Sequence, residues 1–196
     1  MNEKIPANRP VTIYISAASD LMAERETLGR MIAGLPVTLA WRIVQTPLGA
    51  EPLDLEAVRQ ADLYLLLLGG DIRAPVGLEW HTAAYARRPI SAFLKQGPAR
   101  TLAGQAFVRD TGVEWQPFSD AAHLRRRVER LLAEFLLRHA IRFTLTPPEV
   151  EQLTALMKPE TETDQPAGGE GTGHSAVILS RERFMPSEGV IVDGNG

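Results

Sequence analysis

Hydrophobic and polar positions along the chain switch repeatedly between two periods. Residues 11–16 (Val-Thr-Ile-Tyr-Ile-Ser) form an apolar, β-rich run, and the small residues Ser16, Ala17, Ala18 and Ser19 follow it at once. Met22, Leu28, Met31, Ile32 and Leu35 then recur at nearly helical spacing, with Glu24, Arg25 and Glu26 expected on the outward side. Ser19 or Asp20 is the expected cap of this helix, and Gly34 and Pro36 end it. Residues 38–44 predict a second strand, and a short helix over 53–60 follows with Asp54 as its cap. Residues 62–68 (Asp-Leu-Tyr-Leu-Leu-Leu-Leu) are continuously apolar and stop at Gly69 and Gly70. Such a run belongs in the middle of a parallel sheet covered on both faces.

The alternation continues beyond that strand. A helix is expected over 77–87 and a strand over 90–95, while glycines and a proline interrupt 95–112 and predict a long loop or a poorly formed helix. A fifth strand falls at about 113–118, and Ser119 or Asp120 caps the last long helix. Its apolar stripe is Leu124, Val128, Leu131, Leu132, Phe135 and Leu136, with Arg125, Arg126, Arg127 and Arg130 largely off it. Strands that alternate with helices in this way predict an α/β fold with an open parallel five-stranded sheet and helices on both faces.

Pro147 and Pro148 predict the close of a globular domain spanning 10–145, with a short helix over 149–157 inside a linker at 146–174. Residues 160–173, rich in Glu, Thr, Gly and Pro, have the composition of a flexible segment. The β-prone runs at 175–179 and 189–192 then predict a docking tail over 175–196. Two strands alone are barely stable in water, so the tail is expected to dock on its own domain or on a partner.

Composition narrows the function. A net charge of −3 argues against an electrostatic nucleic-acid binder, and the interleaved Glu129 and Glu134 make the arginine-rich helix face a solvated one. The chain has no cysteine, so thiol catalysis, disulfides and thiolate metal sites are excluded. None of its four histidines stands at metal-ligand spacing with carboxylates, and no phosphate loop or dinucleotide fingerprint occurs. No cofactor or metal is therefore expected. Neither an apolar run of membrane-spanning length nor a secretion signal is evident, and the expected location is cytoplasmic.

Two loops carry the candidate chemistry. Small side chains at Ser16, Ala17 and Ser19 leave the backbone approachable where open α/β sheets bind ligands, at the carboxyl ends of the strands. The loop from Gly69 to Trp80 adds Asp71 and places Glu79 in what is expected to be the first turn of the next helix. One reading of Glu79 is a complement to the positive end of the helix dipole. The other is a carboxylate facing the crevice.

Three segments together carry a resemblance. They are Ile15-Ser-Ala-Ala-Ser-Asp-Leu-Met-Ala-Glu-Arg, then Ala61-Asp-Leu-Tyr-Leu-Leu-Leu-Leu-Gly-Gly, then Glu79-Trp-His-Thr-Ala-Ala-Tyr-Ala-Arg-Arg-Pro-Ile. Over about residues 10–140 the chain resembles the uncharacterised domain found at the N-termini of STAND-type signalling ATPases. That domain is similar to TIR domains and to nucleoside 2-deoxyribosyltransferases, and the resemblance implies their flavodoxin-like fold. In the enzymatic relatives, a glutamate opening this helix acts on the sugar of a nucleoside or of NAD, and Glu79 is the matching position. A carboxylate there supplies charge where an oxocarbenium-like centre develops. The deoxyribosyltransferases carry a longer acidic Asp/Gly run before their glutamate. Here only Asp71 and Gly77 remain, and Arg73 and Pro75 replace much of the rest.

Two functional readings follow. One is a signalling or sensor module of a bacterial conflict or defence system. It would bind a nucleotide metabolite, or dock through its tail on a separate partner protein such as a STAND-type ATPase. The other is an NAD glycohydrolase or deoxyribosyltransferase-like enzyme using Glu79. The expected ligand-binding residues are Ser16, Ala17, Ser19, Asp71 and Trp80, the last by base stacking if it is not a core residue.

Overall fold

The computed structural model describes residues 9–158. Five parallel strands form one open sheet: β1 (Val11–Ala17), β2 (Trp41–Gln45), β3 (Leu63–Leu68), β4 (Ile90–Lys95) and β5 (Trp115–Phe118). Their order is β2-β1-β3-β4-β5, so the apolar run that predicted a central strand is the middle one. All six residues of β3 are buried, because β1 and β4 pair along its edges and helices cover both faces.

The pleat divides the core in two. Ile13, Ile15 and Ala17 of β1 point to the face covered by α1 (Met22–Ala33), α5 (Ala121–Arg138) and α7 (Pro147–Met157). Tyr14 and its register partner Tyr64 point to the other face, under α2 (Leu55–Gln60) and α3 (Ala74–Tyr85). The helix α4 (Leu102–Asp110) sends Phe107 into this second cluster, and α6 (Ala140–Phe143) is a single turn after α5. The fold is the flavodoxin-like layout expected from the sequence.

Several local expectations are corrected. Neither Ser19 nor Asp20 caps α1. A 3-10 turn, Ser19–Leu21, leads into that helix, and the Asp20 carboxylate accepts the Gly70 N–H at 3.0 Å. Glu24 and Arg25 do not face solvent, each being 4% exposed. The first turn of α1 overhangs the carboxyl ends of the strands, so Glu24 reaches Lys95 at the end of β4, 2.6 Å away.

The third helix begins three residues before its expected start. Pro75 suits the first helical turn, where a missing N–H costs nothing, and Glu79 consequently sits in the second turn. The interrupted stretch 95–112 contains a capped helix, with the Thr101 hydroxyl accepting the Gly104 N–H at 3.1 Å. Gly104 is a packing residue, because a Cβ there would approach the Gly70 carbonyl oxygen to 3.2 Å.

The domain also does not close at 145. Pro147 and Pro148 open α7, which packs on α5 and buries Leu153 completely. Glu149 completes a capping box with Thr146 and accepts hydrogen bonds from the Thr38 N–H and hydroxyl at 2.5 and 2.8 Å. The remaining linker and the docking tail, 159–196, lie outside the described residues. Among the described residues, no helix is long and apolar enough to cross a membrane.

Candidate functional site

Alternation along β1 builds the site. Tyr14 and Ser16, two residues apart, project from the same face of the sheet, and α3 crosses that face with Glu79 above them. Glu79 is 0% exposed. Its Oε1 accepts the Tyr14 hydroxyl at 2.7 Å, and its Oε2 accepts the hydroxyls of Ser16 at 2.5 Å and Thr46 at 2.6 Å.

Thr46, the first residue past β2, ties this carboxylate to the backbone. Its hydroxyl also accepts the Ala17 N–H at 3.1 Å, and its own N–H donates to the Ile15 carbonyl at 3.1 Å. The Arg25 guanidinium donates to the Thr46 carbonyl, and to Gln45 Oε1 at 3.2 Å. Tyr64 stacks on Tyr14 with ring centroids 5.8 Å apart. Among the described residues, the buried Arg25 Nη1 has no hydrogen-bond partner and the buried Tyr64 hydroxyl has no well-formed one.

Burial dominates the electrostatics of this cluster. It pushes the Glu79 carboxyl above its ordinary value, although the three hydroxyls and the Arg25 charge pull the other way. Tyr14 is raised by burial and by its bond to Glu79, so it remains a neutral donor. Burial lowers Arg25, against the attraction of Glu79 and Tyr14. The dipole reading of Glu79 loses its basis, since that effect fades beyond the first turn of a helix.

A cleft of about 220 Å³ lies over this cluster, at the carboxyl ends of β1 and β2. Its walls include Ala17, Ser19, Thr46, Leu48, Arg73 and Val76. Small side chains after β1 leave the room, and the start of α3 closes one side. The topological switch, where ligands usually bind in this architecture, is instead between β1 and β3. Asp20 fills that crevice: a Cβ on Gly69 would lie only 2.3 Å from its Oδ2. The open space is therefore displaced by one strand.

Ser16 and Glu79 are joined by a hydrogen bond, while Ala17 and Ser19 line the cleft. Asp71 is not among the residues around it. Its carboxylate accepts the Thr101 hydroxyl at 2.5 Å and the Ile72 N–H at 2.9 Å, which ties the β3–α3 loop to α4. Trp80 is half-buried and packs edge-on against Phe107 at 5.4 Å, in an aromatic row that continues to Trp115. It belongs to that packing and does not line the cleft.

Sequence reasoning missed Tyr14, Arg25 and Thr46. Tyr14 carried a signal, because the polar groups of Thr12, Tyr14 and Ser16 alternate along the strand and so share one face. Arg25 and Thr46 carried none, since their roles depend on how α1 overhangs β2. Among the described residues, no group of three His, Asp or Glu side chains converges to hold a metal. No family profile matches the chain, and neither does any curated protein.

Proposed function

We propose that this domain is a signalling or sensor module of the TIR-like and deoxyribosyltransferase-like group, and that its cleft binds a nucleotide metabolite without breaking it down. One observation carries the reading: the carboxylate best placed for glycosidic chemistry is fully buried and already bonded to three hydroxyls. An acid that attacks an anomeric carbon, or stabilises charge on it, must touch the sugar. Glu79 instead fixes the end of β1 to the end of β2 and shapes the floor of the cleft. The partner to which such a module reports belongs to a bacterial conflict system, and a STAND-type ATPase is the candidate that the resemblance suggests.

The second reading is an N-glycosidase, and it too has a specific observation behind it. Thr46 both lines the cleft and bonds Glu79, so a single side chain separates the carboxylate from a bound ligand.

One pair of measurements decides between them. Purified protein is incubated with NAD and a nucleoside panel, and released base is quantified while thermal unfolding is followed in parallel. The sensor reading expects stabilisation by one of these ligands, about 2.7 kcal/mol at a concentration of 100 Kd, with no base released. Ser19→Trp, which fills the cleft from an exposed position, should remove that stabilisation. Base release that disappears in Glu79→Gln would establish the enzyme instead. Neither binding nor release would remove the nucleotide from the proposal.

A further inference from the structure

The cleft and the buried carboxylate meet at Thr46, where the chain changes character. Up to Thr46 it is held by the backbone bond to Ile15, by the bond from Ala17, by the bond to Glu79 and by Arg25. Residues 47–53 then make no hydrogen bond, backbone or side chain, with any described residue. Leu48 is 56% exposed and a Cβ on Gly49 would meet nothing within 4 Å. The next anchor is Asp54, which caps α2 through the Ala57 N–H at 2.8 Å. A segment with so few contacts opens at a lower free energy than the sheet it leaves.

The cluster beneath is also incompletely satisfied. Among the described residues, the buried Tyr64 hydroxyl lies beside Ser16 without a well-formed hydrogen bond, and the buried Arg25 Nη1 at the end of β2 has no partner. Buried polar groups are nearly always bonded, and those left over mark places where another arrangement or another molecule completes the set.

We propose that Thr46 is a latch. While its hydroxyl is on Glu79, the cleft ends at Thr46. When the Thr46 side chain turns off Glu79, for which the weakly held 47–53 loop beside it leaves room, the cleft continues down to the Glu79 carboxylate and to the hydroxyls of Ser16 and Tyr64. Cleft and carboxylate then form one polar site. This inference rests on the cleft being the binding site, but its test needs no ligand.

The test measures how fast a carbodiimide and glycine ethyl ester modify buried carboxyl groups of the full chain, read by mass spectrometry. Asp62, 6% exposed and ion-paired at the opposite, amino end of β3, and Glu24, 4% exposed and paired with Lys95, serve as internal references. The expected result is that Glu79 reacts at least tenfold faster than either, because opening the latch is easier than unfolding the domain. Glu79 reacting no faster than both overturns the proposal, since no local opening would then expose it. Thr46→Val should speed Glu79 a further tenfold without changing Glu24 or Asp62, and Thr46→Ser, which keeps the hydroxyl, should restore the original rate. An unchanged Glu79 rate in Thr46→Val also overturns it. If all three groups speed up together, that variant is unfolding, and the comparison within the unaltered protein decides. Ligand stabilisation alongside a slow Glu79 would discard the latch and leave the binding reading standing.

Discussion

Two buried glutamates stand at opposite ends of β2 and are treated oppositely by the protein. Glu149 reaches Thr38 ahead of the strand, and Glu79 reaches Thr46 just past its end. Each accepts several hydrogen bonds. The donors to Glu149 include the backbone N–H groups of Thr38 and Thr146, which cannot turn to accept a proton, and they hold its carboxyl down at about 2. The donors to Glu79 are three hydroxyls, which can turn, and its burial is complete. Desolvation therefore wins, and its carboxyl is pushed up. Fixed donors at the amino end of the strand make a staple. Rotatable donors beneath a cleft make a carboxylate that two protonation states can satisfy, which is how a site differs from a cap.

The largest expected effect separates the two by truncation. Glu79→Ala leaves Tyr14, Ser16 and Thr46 with unmet hydroxyls in a dry interior, and should cost about 3–5 kcal/mol in urea unfolding. Glu149→Ala loses a capping box at the edge of the domain, and should cost about 1–2 kcal/mol. Equal losses would mean that the two glutamates do the same structural job.

The next effect is in the pH dependence, where the signs oppose. The Glu79 carboxyl lies above its ordinary 4.5 in the folded state, so its contribution to stability is fully present below that value and falls as pH rises through the folded value. In Glu79→Gln that fall is absent. Because the amide matches the protonated acid, wild type and variant should lie closest in acid, and wild type should lose stability relative to the variant as pH rises.

Glu149 behaves in reverse. Its contribution is present above 4.5 and is lost as pH falls towards about 2. Glu149→Gln should cost about 1 kcal/mol near neutral pH, with the gap closing in acid. Unfolding midpoints measured across this range check both, and parallel profiles would erase the distinction.

The contrast also marks what could be read from the chain. The sheet was legible, because a strand buried on both faces must be a continuous apolar run, as 62–68 is, and because small residues after β1 announce an approachable loop. Glu79 and Ser16 were legible as neighbours of the strand ends. Their burial was not, since it depends on α3 starting at Ala74 and turning the glutamate inward over Tyr14. Asp71 and Trp80 were misplaced for a related reason. Position in the loop after β3 says nothing about which neighbour an acid will meet, and the partner of Asp71, Thr101, is 30 residues away. Glu149 was invisible because two prolines read as an ending, although at the first helical positions they read equally well as a beginning.

The smallest expected effect on stability is the one that bears most directly on the cleft. Leu48 lines it, yet the side chain is mostly exposed and the loop around it is hydrogen-bonded to nothing described. Leu48→Ala removes little apolar area that folding had taken from water, so the unfolding free energy should change by less than about 0.5 kcal/mol. A ligand in the cleft would cover that area, and covering a leucine side chain contributes about 1.5–3 kcal/mol when the burial is complete. Partial cover should still weaken binding by roughly tenfold, which corresponds to about 1.4 kcal/mol. Calorimetric titration of the variant, set beside its urea curve, separates the two quantities. A loss of stability as large as the loss of binding would place Leu48 in the fold and not in the site, and the loop would then be part of the frame that Glu149 staples at the other end of the strand.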